Sequence, residues 1–262
     1  MTARSTKPLQ VDGVPIANGR VPALCVPLVA ATAPAILDEV SVIMQQSPDV
    51  LEWRVDHYAG VADVENVVAL ARRIREAAPR TPLIFTLRCE REGGAPTRLD
   101  DGRTIALYGA ICSARCAEFV DYELGNGTGN FARVQAVARE HGVGVIGSFH
   151  DFSCTPDAGV LAAKFEQAKR EGADVAKVAV MPADARDVLT LLDATWQAAH
   201  ALDMPLISMA MGSLGALSRI AGHLFGSSLT FAAGERASAP GQMPIDALRR
   251  AIALLDPAPR MR

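Results

Sequence analysis

The sequence predicts a (β/α)8 barrel, the TIM-barrel class, on three observations. Short apolar or β-branched runs alternate with segments of helical period; there are eight such runs; and charged side chains recur on one face of several of them. Strand–helix alternation implies parallel strands joined by right-handed crossovers, and eight such units favour a closed barrel over an open sheet. The 262 residues suit the ~250 residues this architecture typically takes. Residues 1–262 are therefore expected to form a single barrel domain.

The first 22 residues stand outside the repeat. Asp12-Gly13 and Asn18-Gly19 are turn-forming dipeptides, so this stretch is expected to be a hairpin or cap. The eight strands are then expected at Ala23–Ala30, Val50–Tyr58, Pro82–Arg88, Phe119–Leu124, Val143–His150, Asp174–Val180, Pro205–Met211 and Leu229–Ala233. Between them, apolar residues keep the spacing of one helix face. Examples are Val64, Val67, Val68, Ala71 and Ile74; Leu161, Phe165 and Ala168; Val188, Leu191, Leu192 and Thr195; and Ile245, Leu248, Ile252 and Leu255. Pro156 and Pro244 fall where a first helical turn tolerates proline. Gly142 and Gly172 fall where helices end before strands five and six. The Gly-rich stretch Gly125–Asn130 lacks the dinucleotide spacing G-x-G-x-x-G and lies in the fourth unit, so it reads as a loop.

Composition narrows the function. A formal net charge of −3 argues against general nucleic-acid binding, which needs a basic field. No apolar run reaches the ~18 residues of a membrane span, and the N-terminus lacks the apolar core of a signal peptide. A cytoplasmic protein is expected. Cys25, Cys89, Cys112, Cys116 and Cys154 are odd in number and lack C-x-x-C spacing, which suits reduced thiols. Cys112 and Cys116 read as small core residues.

The informative residues are charges where a barrel should be apolar. Strand side chains alternate faces, one set packing on helices and the other filling the barrel. In strand two, Trp53 and Val55 suit the helix layer, so Glu52, Arg54 and Asp56 should point inward. Thr86 and Arg88, Asp121 and Glu123, and Ser148 and His150 repeat the pattern in strands three, four and five, with Glu90 and Glu92 following in the loop after strand three. Lys177 sits in V-A-K-V-A-V with apolar neighbours on both sides. A buried lysine is rare unless paired. A structural ion pair is the plain alternative, but so many inward ionisable groups from separate strands point to chemistry. Active sites of this fold lie at the C-terminal strand ends.

A desolvated lysine amine is a nucleophile for ketones and aldehydes. The iminium it forms acidifies the neighbouring C–H, and His150 is the candidate base. His57, His141, His200 and His223 read as bystanders. A metal cage from Asp56, Glu52, Asp121, Glu123 and His150 is disfavoured by the interspersed Arg54, Arg88 and Lys177.

Glu52–His57 (E-W-R-V-D-H), Thr86–Gly94 (T-L-R-x-x-x-E-G-G), His150–Phe152 (H-D-F), Ala176–Pro182 (A-K-V-A-V-M-P), Ser218-Arg219 and Ala237–Gln242 (A-S-A-P-G-Q) occur in order. This set resembles the type I 3-dehydroquinate dehydratase family, the Schiff-base class of the shikimate pathway of aromatic amino acid biosynthesis. The resemblance runs from about the first strand to the last helix. It implies a homodimeric lyase with no cofactor or metal, acting on the small molecule 3-dehydroquinate to give 3-dehydroshikimate. It implies that Lys177 forms the imine, that His150 is the general acid and base, and that Glu92 orients His150. Glu52, Arg54, Arg88, Arg219, Ser238 and Gln242 would hold substrate hydroxyls and carboxylate, with Ala237–Gln242 as a lid loop. The chain departs from some relatives at strand one, where Pro27 replaces a serine able to reach the substrate. A class I aldolase and a catalytically dead metabolite-binding barrel are the alternatives. The aldolase needs a phosphate cradle after strands seven and eight, where A-S-A-P-G-Q fits the dehydratase better. The intact Lys177, His150 and Glu92 set argues against the dead barrel.

Overall fold

Each expected apolar run forms a parallel strand: β1 (Ala23–Leu28), β2 (Val50–Arg54), β3 (Leu83–Thr86), β4 (Phe119–Glu123), β5 (Gly144–Asp151), β6 (Val175–Val180), β7 (Leu206–Ala210) and β8 (Leu229–Phe231). Each is followed by a helix: α1 (Ala33–Met44), α2 (Val64–Ala77), α3 (Asp101–Ala114), α4 (Asn130–Glu140), α5 (Ala158–Arg170), α6 (Ala185–Ala201), α7 (Ala216–Ala221) and α8 (Ile245–Leu255). The structure, a computed structural model, describes residues 7–11, 14–16 and 21–255. Strands pair in chain order, and β8 returns to pair with β1. Between β7 and β8 the seam is irregular. The Ser228 N–H donates to Leu206 O at 2.7 Å, and the Ser208 N–H donates to Ser227 Oγ at 3.0 Å.

Alternation sorts the strand side chains as expected. Leu24, Val26, Trp53, Phe85, Val120, Tyr122 and Val178 face outward into the helix layer. An edge-to-face chain of rings runs through this layer from Trp53 to Phe85, Tyr108, Tyr122 and Phe131. Tyr108 also ties two strands, because its Oη accepts from the Leu87 N–H at 3.1 Å and donates to Asp121 O at 2.7 Å. Inward, Ala23, Cys25, Val50, Ile84, Phe119, Ile146, Val175, Ile207 and Leu229 fill the lower barrel.

The segment before β1 is an antiparallel hairpin, Gln10–Val11 with Val14–Pro15. Leu9 enters the inner apolar cluster, with Val11 and Ile16 against it. The hairpin therefore stoppers the end of the barrel where the strands begin. The turn dipeptides Asp12-Gly13 and Asn18-Gly19 lie outside the described residues.

Several expectations are corrected in detail. β2 stops at Arg54, and Val55–His57 form a 3-10 turn. Asp56 in that turn stays buried because it accepts from Arg54 and from the Ala95 N–H. Pro156 lies before the N-cap Asp157 of α5. Pro244 is itself at a cap position, its carbonyl accepting from Leu248 at 3.0 Å. Leu255 ends α8 exposed, where the helix has passed the core. Cys116 is buried just beyond the end of α3. All five cysteines are free thiols, and no described helix is long and apolar enough to cross a membrane.

Gly142 and Gly172 have left-handed φ of +72° and +82°. Each lets the next residue reach back into its helix: Val143 N–H to Ala138 O at 2.8 Å, Ala173 N–H to Ala168 O at 3.0 Å. At Gly142 an added Cβ would meet nothing within 4 Å, so substitution there isolates the backbone cost. Gly142→Ala is expected to lower stability by about 1–2 kcal/mol, read by urea denaturation, with turnover retained.

Candidate active site

Parallel register brings the inward charges to one level at the C-terminal strand ends. Ser148 lies beside both Glu123 and Lys177, and Thr86 beside Asp121. Lys177 Nζ donates to Asp121 Oδ2 at 2.7 Å and to Glu52 Oε1 at 3.4 Å. Its ammonium also sits 4.5 Å from the centroid of the Phe231 ring. Arg88 donates from Nη2 to Asp121 Oδ1 at 2.8 Å, and from Nη1 to Glu123 Oε1 at 3.0 Å and Ser148 Oγ at 2.8 Å. Thr86 Oγ1 donates to Glu52 Oε1 at 3.0 Å. Burial alone would raise the Asp121 carboxyl, but Arg88 and Lys177 outweigh it and hold it well below the usual carboxylate range. The ion pair weighed as the plain alternative for Lys177 is therefore present.

His150 stands at the end of β5, and Glu92 reaches it from a 3-10 turn, Glu90–Glu92, after β3. One oxygen, Glu92 Oε2, accepts the His150 backbone N–H at 2.9 Å and faces Nδ1 at 3.0 Å. The turn closes on Gly93 at φ +81°, where a Cβ would lie 2.3 Å from the Phe152 ring. Burial first, then Arg88 and Lys177, push His150 well below the usual histidine range, so the ring is neutral at pH 7. Burial and the neighbouring Glu123 push the Glu92 carboxyl up to about 7. Glu90, the other acid of the turn, is exposed.

Arg54 is held by a two-pronged bond to Asp56, 2.9 Å from Nε and 2.7 Å from Nη2. Arg219 is different. It lies on the short helix α7 and is only 1% exposed. Its terminal nitrogens donate to Pro240 O at 3.1 Å and Phe231 O at 3.4 Å, while Nε has no partner. No carboxylate pairs with it among the described residues, and burial pushes it down to about 10. Pro240 belongs to the loop 237–242, and its carbonyl also accepts the Gly212 N–H at 3.1 Å. Within that loop Gln242 Oε1 accepts the Ser238 N–H at 2.7 Å, and Gln242 Nε2 donates to Ser238 Oγ at 2.9 Å.

One cavity at the barrel mouth collects the nine residues to which the resemblance gave roles: Lys177, His150, Glu92, Glu52, Arg54, Arg88, Arg219, Ser238 and Gln242. Its apolar wall is Phe152, Met209, Met211 and Phe231. Phe152 lies in a motif already noted, whereas Met209, Met211 and Phe231 carried no polar signal. Alternation along β7 and β8 would have placed Met209 and Phe231 inside. Pro27 is buried in β1 beside Glu52 and does not line the cavity. A wider groove at the opposite barrel end, lined by Gln10, Arg115, Glu118 and Arg139 among others, holds none of these nine.

Fold and site define a (β/α)8-barrel enzyme with an ionisable cavity at its C-terminal mouth. The model of the type I 3-dehydroquinase family matches residues 24–258. The chain is 48% identical to the 3-dehydroquinate dehydratase of Albidiferax ferrireducens over 252 residues, 96% of each chain. It superposes on the crystal structure of 3-dehydroquinate dehydratase from Geobacillus kaustophilus with a TM-score of 0.93 at 43% identity, covering 98% of this chain and 99% of that one. The type I enzyme from Clostridium difficile gives a TM-score of 0.90 at 33% identity over 95% and 98% of the two chains. The chain belongs to the type I 3-dehydroquinase family and is a hydro-lyase.

Asp121 is the carboxylate that Arg88 and Lys177 share. Removing one partner from a buried ionic group leaves uncompensated charge and costs about 3–5 kcal/mol. Asp121→Asn, nearly identical in volume, is expected to lose stability of that order in urea denaturation.

Proposed function

We propose that this enzyme dehydrates 3-dehydroquinate to 3-dehydroshikimate through an imine on Lys177, with His150 as general acid and base. The observation that carries the reading is one cavity in which Lys177 and a neutral His150 share space with Arg219, a buried cation without a carboxylate partner. A lysine, a base and an anion-binding guanidinium are what a keto acid undergoing elimination requires.

In this reading His150 Nε2 takes a proton from the Lys177 ammonium, the freed amine adds to the C3 carbonyl, and that proton leaves with the carbinolamine hydroxyl as water, giving the iminium and a neutral His150. The iminium withdraws electrons from C2, and His150 Nε2 removes the C2 proton. The enamine then expels the C1 hydroxyl, which His150 protonates so that it leaves as water. Hydrolysis of the product imine frees Lys177. An ionised Glu92 accepts from Nδ1–H and so leaves the Nε2 lone pair free. Arg219 holds the substrate carboxylate. Glu52, Arg54, Ser238 and Gln242 hold hydroxyls or carboxylate at the rim. Arg88 serves a mixed role, since Asp121, Glu123 and Ser148 already engage its terminal nitrogens. The loop 237–242 acts as a lid that excludes water while the enamine forms. The C. difficile relative was solved with covalent modified comenic acid, which supports covalent chemistry in a relative of this chain. The resemblance further implies a cytoplasmic homodimer, for which exposed Leu189 and Trp196 of α6 offer apolar surface; sedimentation would read the mass directly.

Incubation with 3-dehydroquinate should produce the ultraviolet absorbance of a conjugated enone. Borohydride added during turnover should inactivate the enzyme and leave a reduced adduct that peptide mass spectrometry places on Lys177. An active enzyme with its adduct on Lys164 or Lys169 would overturn the assignment. His150→Ala should lose ~10²–10⁴-fold in rate while the amine still traps some imine.

The pH profile follows from Glu92, whose carboxyl is pushed up to about 7. Below that pH a protonated Glu92 donates to Nδ1, the ring proton moves to Nε2, and the base is lost. The acidic limb of kcat is therefore expected near pH 7, and Glu92→Gln should abolish that limb.

A further inference from the structure

Behind His150 the site holds more carboxyl than its obvious partners offset. Glu123 on β4 packs beside Glu92 and is the charge that most raises it after burial. Glu123 Oε1 accepts from Arg88 Nη1 at 3.0 Å and from the Cys89 N–H at 2.8 Å. Glu123 Oε2 is buried and accepts no hydrogen bond among the described residues. Arg91 Nη2 stands 4.0 Å from that oxygen, within ion-pair reach but beyond hydrogen-bond length. Arg91 precedes Glu92 on the same 3-10 turn, and its side chain is 60% exposed. Asn126, in the loop after β4, aims it by accepting from Nη2 at 2.9 Å. Gly125 leaves the space open: a Cβ there would lie 3.3 Å from Glu92 Oε1 and 3.5 Å from Arg91 Nη2.

We propose that Arg91 is a positioning residue for the His150–Glu92 pair, its guanidinium at the rim offsetting the Glu123 carboxyl and keeping Glu92 in the form that accepts from His150 Nδ1. The inference rests on the reading of His150 as the base and adds a residue to it. Arg91 touches neither the reacting lysine nor the cavity.

The charges facing Glu92 are Arg88 just past β3, Glu123 from β4 and Arg91 from its own turn, with the neutral His150 meeting it from β5. Gly125 and Asn126 do not titrate, and Asp121 and Lys177 act on His150 from further inside. A cation beside a carboxyl favours its ionised form, so loss of Arg91 raises the pH at which Glu92 ionises. An exposed pair is screened, so the effect is modest: about half a pH unit.

The experiment compares the intact enzyme with Arg91→Gln and Arg91→Lys, following kcat and KM for 3-dehydroquinate across pH at low and high salt. In Arg91→Gln the acidic limb of kcat should move to higher pH by about half a unit, with the plateau kept within about twofold. Arg91→Lys should restore most of the limb, and high salt should shrink the difference. A limb that stays in place, with only KM or only the plateau altered, overturns the proposal and reassigns Arg91 to substrate attraction or folding. An NMR titration of the histidine rings, with His150 assigned by signal loss in His150→Gln, reads the same ionisation without turnover. A wild-type enzyme that fails to dehydrate 3-dehydroquinate therefore defeats the proposed function alone, and an unmoved NMR titration in Arg91→Gln defeats the role of Arg91 alone.

Discussion

The barrel mouth depends on one buried carboxylate. Asp121 accepts from Lys177, Arg88 and Ser148 at 2.7, 2.8 and 2.6 Å, and so binds together the ends of four consecutive strands, β3 to β6. Such a cluster is a poor source of stability, because desolvating each ion costs about as much as pairing returns. An apolar set of similar volume would serve the fold as well, and the lower barrel is built that way. The charges therefore mark the level at which the interior stops being packing and becomes chemistry.

That network also separates the two carboxyl groups that matter most. Asp121 sits between two cations and is held ionised, while Glu92 lies one shell out, beside Glu123, and is pushed up to about 7. Two acids of the same chemistry are thereby set to different tasks by their surroundings, one to fix an amine and one to respond to pH. The neutral His150 lies between them. Its ring is tied at Nδ1 and its backbone at the same Glu92 oxygen, so a single carboxylate sets the direction of the ring.

Much of this was legible in the chain. Period-two alternation carried Glu52, Arg88, Asp121, Ser148 and Lys177 inward because the barrel interior admits one face of each strand. Helical spacing and the two helix-ending glycines gave the helix layer. What escaped was fixed by three-dimensional register. Which carboxylate meets Lys177 depends on the stagger of β4 against β6, which no local pattern records. Arg219 stands out in the chain only through its motif, and its burial comes from tertiary contacts, among them Phe231 and the Pro240 carbonyl of the loop 237–242. Met209, Met211 and Phe231 form a wall that apolar composition cannot tell from ordinary core. The end of β2 was misplaced because Asp56, a good turn former, bonds backward to Arg54 and across to the next loop.

The hairpin that puts Leu9 into the lower barrel has a consequence for traffic. With that end stoppered and a layer of apolar side chains above it, the cavity opens, among the described residues, at the C-terminal mouth alone. In the proposed imine mechanism, which expels water and later consumes it, the same doorway would admit the substrate, release both water and product, and readmit the water that frees the lysine. On that reading, opening and closing of the rim would set the order of these passages.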